Sequence, residues 1–276
     1  MNSPRAILLI LAGVRPEHEA EFNLWYDREH IPDRVGVPGF IAARRHQGLP
    51  GALWPYLAVY ETTGIDVFSS PAYRERLANQ SAWSRRILPT FVAPQRNIAL
   101  RRAQLGEGVG ALTMLAALRP EASEVEPLIA AFGRIAADLR QRDPDLVSVG
   151  LYASDPDLSR PVAEYPPVAS SPVGAGDWFV MADVASARGG AGFADALAAL
   201  PLARPALGIG AFALRSSVAA HDLPLCPARM TPDDDRRAGA IRRPPRAAAC
   251  RPRSRGRRSG RSHAPSSRTA SAERGP

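Results

Sequence analysis

The chain has 276 residues, enough for two small domains or one large one, and its 45% hydrophobic and 22% charged content is that of an ordinary globular protein. The net charge of +8 resides in the tail: residues 1–220 hold 21 Arg against 22 acids, residues 221–276 hold 14 Arg against 5, and charge is therefore no argument that the body binds DNA or RNA. Both cysteines, Cys226 and Cys250, are also in the tail, which excludes a disulfide framework, a thiolate metal site and a cysteine nucleophile from the body.

Ala6–Ala12 is a continuous apolar stretch of strand length. With Arg5 before it, the stretch faintly imitates a signal peptide, but it lacks a small-x-small cleavage site and flows into a charged helical pattern. No apolar run reaches the roughly 20 residues of a membrane span, and a cytoplasmic location is expected. Pro16 opens a helix with Glu17, Glu19 and Glu21 in its first turns, where carboxylates suit the helix dipole. Pro32 and the Gly36–Gly39 cluster are expected to end that run. Phe40–Gln47 reads as a second strand and Tyr56–Glu61 as a third. Ser70-Pro71 starts a helix to about Asn79, Ala82–Leu88 is a further short helix, and Asn97–Arg101 is a fourth strand. The order is β-α-β-β-α-β, a ferredoxin-like unit.

The pattern then repeats. Strands are expected at Leu112–Ala117, Leu146–Tyr152, Trp178–Val184 and Gly210–Leu214, and helices at Leu128–Leu139 and Phe193–Leu200. Residues 154–176 are loop-like, and Gly106–Gly110 is the linker between halves. The expected domains are 1–105, a degenerate second repeat at 106–220, and a tail at 221–276. The tail is dominated by Arg, Pro, Ser, Ala and Gly without an aromatic, so it is expected to be disordered. Two ferredoxin-like units in one chain can set two four-stranded sheets face to face, each covering the other.

The densest chemistry lies in Phe22-Asn23-Leu24-Trp25-Tyr26-Asp27-Arg28-Glu29-His30-Ile31-Pro32, followed by Val37-Pro38-Gly39-Phe40. A neutral imidazole at His30 could exchange a proton near neutral pH, or it could simply cap the helix end. Trp25, Tyr26, Phe40 and Tyr60 could form an apolar wall, although Trp25 and Tyr26 at helical spacing also suit a core. Glu29, Asp33 or Asp27 could orient the imidazole, and Arg44 or Arg45 could hold an anionic oxygen; neighbouring strand residues face opposite ways, so one at most shares the site. Arg44 is the one placed beside Phe40 and Tyr60. His46 is expected at a strand end in solvent and His18 on an exposed first turn. The glycines at 106, 108 and 110 lack the residues of a phosphate loop, no Gly-x-Ser-x-Gly elbow occurs, and the body's three histidines have no metal-ligand rhythm.

These motifs resemble the dimeric α/β-barrel superfamily, most closely its EthD-like members, which show a Trp-Tyr or Tyr pair, a short acidic spacer, His-Ile-Pro and then Pro-Gly-Phe. Ser70-Pro71-Ala72-Tyr73 and Trp83-Ser84-Arg85-Arg86 with Pro89 are later matches. The resemblance covers residues 5–102 by motif and 110–216 by element order alone. It implies an α+β fold of two ferredoxin-like repeats forming an intramolecular dimeric α/β barrel, as a monomer or loose homodimer. It also implies a cofactor-free lyase or isomerase of a small aromatic or cyclic compound, with His30 and Tyr26 catalytic and Trp25, Phe40, Arg44, Tyr60 and Glu29 around the substrate. No cofactor and no metal is assigned; a haem-binding relative of this fold would want a histidine in the barrel. A non-catalytic small-molecule-binding or structural member of the same fold is the alternative, and nucleic-acid contact through the basic tail is a third reading.

Overall fold

The computed structural model describes residues 5–160, 165 and 171–223. The tail assigned from residue 221, with both cysteines, lies outside the described residues from 224 onward, as does most of 161–170. The first half comprises β1 (Ala6–Val14), a helical run from Pro16 to Val35, β2 (Phe40–Gly48), β3 (Tyr56–Thr62), α3 (Pro71–Ala78), α4 (Ala82–Ile87) and β4 (Phe91–Gly106). Within the helical run, α1 is Glu19–Trp25 and α2 is Ile31–Val35. The second half comprises β5 (Leu112–Leu118), α5 (Val125–Arg142), β6 (Leu146–Ser154), β7 (Trp178–Val184), α6 (Phe193–Ala198) and β8 (Leu207–Ala219). Among the described residues, no helix is long and apolar enough to cross a membrane.

The eight strands close into one antiparallel barrel in the order β1-β3-β2-β8-β5-β7-β6-β4. This is the expected intramolecular barrel, its two four-stranded sheets joined at their edges as well as packed face to face. Each half keeps the ferredoxin-like order, but β2 pairs with β8 and β4 pairs with β6. Joining the edges satisfies backbone groups that open edges would leave to solvent or to other chains. The same pairing explains why β4 and β8 far exceed their expected five residues. β4 pairs with β1 as far as Leu100 and with β6 over Ala99–Gly106. β8 pairs with β5 over its first part and with β2 from Phe212 to Ala219.

Alternation along the strands divides the apolar residues into three groups. One fills the space between the first half's sheet and helices, a second does the same in the second half, and a third lines the lumen with residues such as Leu9, Leu57, Val59, Leu115, Phe179 and Phe212. One end of the lumen is polar. Arg44 Nη1 donates to Asp183 Oδ2 at 2.9 Å and Nη2 approaches Glu61 at 3.3 Å. Thr113 Oγ1 donates to Asp183 Oδ1 at 2.7 Å and lies 3.1 Å from His46 Nε2. Thr113 has a single hydroxyl proton, and the shorter contact to a carboxylate takes it. His46 Nε2 thus faces the Thr113 hydroxyl oxygen, and its buried Nδ1, beside the Leu57 backbone, makes no hydrogen bond of regular geometry. His46 is thus fully buried inside the barrel, and its expected place in solvent is corrected: its strand continues to Gly48 and the β8 pairing covers it. His18 is half-buried rather than exposed.

One strand residue is strained. Ala93 has φ 45°, in an irregular stretch where Leu11 pairs with Gln95 but Gly13 pairs with Val92. Its carbonyl accepts the Trp54 indole N–H at 2.9 Å, which holds the kink in place. An L-residue pays roughly 1–2 kcal/mol for such a conformation. Ala93→Gly should therefore stabilise the fold by about 0.5–1 kcal/mol, net of glycine's looser unfolded chain; an unchanged or lower urea midpoint would contradict this.

Candidate functional site

The helical run does not stop at Pro32. After α1, residues Tyr26–His30 form a π-helical turn, in which the Ile31 N–H bonds the Tyr26 carbonyl, and α2 carries Pro32 within it. Proline lacks an N–H and its ring crowds the carbonyl four residues back. The wider turn absorbs both defects, so the helix survives to Val35. His30 therefore lies in mid-run and not at a helix end, which removes the expected capping role. Such turns are rare and frequent at functional sites.

The widened turn directs Trp25, Tyr26 and His30 onto the sheet. His30 is 4% exposed, and its ring lies 4.3 Å from Trp25, 5.1 Å from Tyr26 and 6.4 Å from Tyr60 between centroids. Phe40 packs edge-on to Tyr60 at 6.3 Å. Trp25, Tyr26 and Tyr60 thus sit around His30 as an aromatic cage, and Phe40 packs behind Tyr60. Burial, with Arg34 and Arg45 nearby, pushes the His30 pKa well below 6.5, so the imidazole is neutral at neutral pH. It makes no hydrogen bond to another described side chain. Burial raises the Tyr26 pKa against the opposing pull of Arg45, and burial followed by Tyr26 raises Tyr60 much further. The two hydroxyls face one another without a bond of regular geometry, leaving the Tyr60 hydroxyl buried and unpartnered.

Two expected members lie elsewhere. Arg44 points into the lumen, and Arg45 is the arginine on the cage side. A bulge is the reason: Phe40 pairs with Thr62 but Ala42 with Glu61, so one extra residue reverses the alternation and puts Ala43 and Arg45 on the face of Phe40. Glu29 does not orient the imidazole. Its Oε1 accepts the Trp25 indole N–H at 3.1 Å and the hydroxyls of Ser81 (2.5 Å) and Ser84 (3.1 Å). Asp27 and Asp33 are engaged by Arg45 and by Arg34 and Arg76. Glu29 thus fixes Trp25 against the start of α4.

The Arg45 guanidinium lies over the rings of Tyr26 (4.4 Å), Phe22 (4.8 Å) and Tyr56 (5.0 Å). It donates to Asp27 Oδ1 at 3.2 Å and Asn23 Oδ1 at 2.5 Å, while its Nε has no partner. Beside it is a small indentation, about 180 Å³ when open solvent is included but with enclosed room for only about one water, bounded by Ile10, Ala12, Phe22, Tyr26, Tyr56 and Ala58. His30 is not in its wall; Tyr26 separates the two. Asn23 and Tyr56 were not singled out from the sequence, although Asn23 stands one helical turn before Tyr26 and is the only amide in that turn. Among the described residues, no group of three or more His, Cys, Asp or Glu could hold a metal ion.

No protein-family model and no curated protein matches the sequence. Solved structures do match. An anthrone oxidase-like protein superposes with a TM-score of 0.54, at 11% identity over 81% of this chain and 97% of that one. The chain has the dimeric α/β-barrel fold. Further matches are a candidate monooxygenase from Fusobacterium nucleatum (TM-score 0.49, 8% identity, 79% and 96% covered) and a chlorite dismutase variant from Candidatus Nitrospira defluvii (0.45, 7%, 78% and 92%).

In this dimeric α/β barrel the two halves present unlike clefts. The second half's counterpart, an indentation of about 250 Å³ under α5 and α6, is walled by apolar side chains such as Phe132, Leu139, Val180 and Phe193. It holds no titratable group and no π-turn motif, so the chemistry-bearing residues of the dimeric α/β barrel concentrate in the first half.

Proposed function

We propose that the cage around His30 is a small-molecule site and that the chain is a cofactor-independent lyase or isomerase of a small aromatic or cyclic compound. The observation that carries this reading is the polar content of an otherwise apolar cage. A neutral imidazole stands beside a buried tyrosine hydroxyl without a partner, an arrangement that costs about 1–3 kcal/mol unless a ligand completes it. His30 would take a proton from a carbon next to a carbonyl. The Tyr26 and Tyr60 hydroxyls would donate to the enolate oxygen that forms. Returning the proton to another carbon gives an isomer; expelling a leaving group from the adjacent carbon gives a lyase product. Only a proton moves between protein and substrate.

A porphyrin fits neither half. The His30 ring is packed against indole and phenol, and the second half's indentation contains no histidine. His46, the histidine that does lie in the barrel, is held by Thr113 beside Arg44.

The test is exchange of substrate hydrogen for solvent deuterium, followed by NMR over a panel of small cyclic ketones and phenols. His30→Gln should slow exchange by at least ~10²-fold, with the melting temperature nearly unchanged. Exchange that survives the substitution would remove His30 from the chemistry. A second reading, ligand binding without catalysis, rests on the same unpartnered Tyr60 hydroxyl, which a ligand completes without any proton transfer. It predicts binding with no exchange on the panel.

A further inference from the structure

We propose that Tyr165, supplied by the second half, is a specificity-determining residue of the first-half site: its ring is the outer wall of the His30 cage and sets the size of ring that the site accepts. The proposal rests on the cage being a small-molecule site and adds the residue that gauges its occupant.

Three observations carry it. The first is an inequality between the halves. The connection from the second strand to the third is residues 49–55 after β2 and residues 155–177 after β6. The short one sends Trp54 into the lumen, whereas Leu158 and Tyr165 of the long one pack on the core of the opposite half. The long connection is tied to β4 at the point where the β6 pairing ends. There the Asp155 N–H donates to the Ile98 carbonyl at 2.8 Å, Ser159 Oγ accepts the Ile98 N–H at 2.8 Å, and Arg96 donates to the Leu158 carbonyl at 2.5 Å.

The second observation is where Tyr165 lies. Its ring packs on Phe91 at 5.4 Å between centroids, and Phe91 packs in turn on Trp25 at 6.1 Å and Tyr26 at 6.4 Å. Burial, then Tyr26 and then Tyr165 raise the pKa of the Tyr60 hydroxyl, which sets Tyr165 beside that group as well.

The third is that the cage is otherwise closed. His30, Tyr26 and Tyr60 are at most 4% exposed, so a substrate gains room only by displacing a ring. Among the described residues, four rings pack on Phe91. Those of Phe22, Trp25 and Tyr26 are buried and belong to the helical run, whereas Tyr165 is half-buried and stands in a connection between strands. A residue of that kind is displaced at the least cost. A substrate ring therefore enters on the side of Tyr165 and is gauged by it.

The experiment follows solvent-deuterium exchange by NMR into cyclohexanone and into β-tetralone, the same ring fused to a benzene, with the full chain. Tyr165→Ala should raise the ratio of kcat/KM for β-tetralone to that for cyclohexanone by at least ~10-fold, chiefly through KM. Tyr165→Phe should keep the parent ratio, because the ring and not the hydroxyl is the wall. A role in packing alone would slow both ketones together and leave the ratio where it was. Tyr165→Leu should move the ratio in the same direction as Tyr165→Ala, and it replaces the alanine variant if that one does not fold. An unchanged ratio in the truncated variant, or a shift in Tyr165→Phe as large as in Tyr165→Ala, overturns the assignment of Tyr165, while exchange that still depends on His30 leaves the site standing. If the parent protein exchanges neither ketone, or if exchange survives His30→Gln, the site reading falls and the proposal with it.

Discussion

Asp183→Ala should destabilise the barrel by about 3–5 kcal/mol, because it strips a buried guanidinium of its nearest counter-charge. Arg44 is 4% exposed, and Asp183 is both its shortest partner and the acceptor for Thr113 and Ser148. Burial alone would lower the Arg44 pKa; Asp183 and then Glu61 outweigh it and raise it, which shows how far the cation depends on those acids. Glu61 is partly exposed and shared with Arg5 at 3.9 Å, so it is a poor replacement. Replacing both partners, Arg44→Met with Asp183→Leu, should recover most of the loss, since no charge is then stranded in the lumen. Urea unfolding of the single and double variants measures this. A single variant within 1 kcal/mol of the parent protein would mean that water reaches the lumen and solvates Arg44.

Acid should loosen the same region. Burial, and after it the Arg44 charge, lowers the His46 pKa from 6.5 to about 4, with Asp183 and the Leu57 backbone opposing. The folded protein therefore resists a proton that the unfolded chain accepts readily. His46 has no effect on stability above about pH 6.5; as pH falls from there to about 4 the unfolded state is increasingly favoured, by about 3 kcal/mol in all, and below that the contribution levels off. His30, displaced in the same direction by its own burial, adds to the loss. Unfolding free energies at pH 7.5, 6, 5 and 4.5 should show the decline, and His46→Gln should flatten part of it. A His46→Gln curve parallel to that of the parent would show that His46 does not cause it.

The strand and helix order was legible because apolar runs, prolines and glycines mark element limits locally. Trp178–Val184 matches its expected limits, and Ser70 caps α3 by accepting the Tyr73 N–H, as the Ser-Pro pair implies. Features that depend on partners distant in sequence were not legible. The full lengths of β4 and β8 come from strands in the opposite half. The choice of Arg45 over Arg44 turns on a bulge at residues 40–42 that composition does not announce. His46 reads as a polar strand end until Thr113, some seventy residues away, is seen to receive it. The aromatic cage was partly legible: Trp25, Tyr26, His30 and Tyr60 converge with Phe40 behind them, whereas Glu29 carries a structural bond that its neighbourhood in the sequence disguises.

The lumen also records a loss of symmetry. By register, Ile7 opposite Glu61 corresponds to Thr113 opposite Asp183, and Arg44 opposite Val59 corresponds to Gly150 opposite Met181. A perfect twofold would therefore set two arginines against two acids. Instead one guanidinium answers both carboxylates. Where its mate would stand, the Tyr152 ring lies so close that a Cβ on Gly150 would fall 2.6 Å from it. Two identical subunits could not adopt this arrangement; a chain that encodes each half separately can. It also binds the halves to one another. Two copies of the first half would set two arginines against two glutamates in one lumen, and two copies of the second would oppose two aspartates with no cation between them. Each half now has the other as its fitting counterpart.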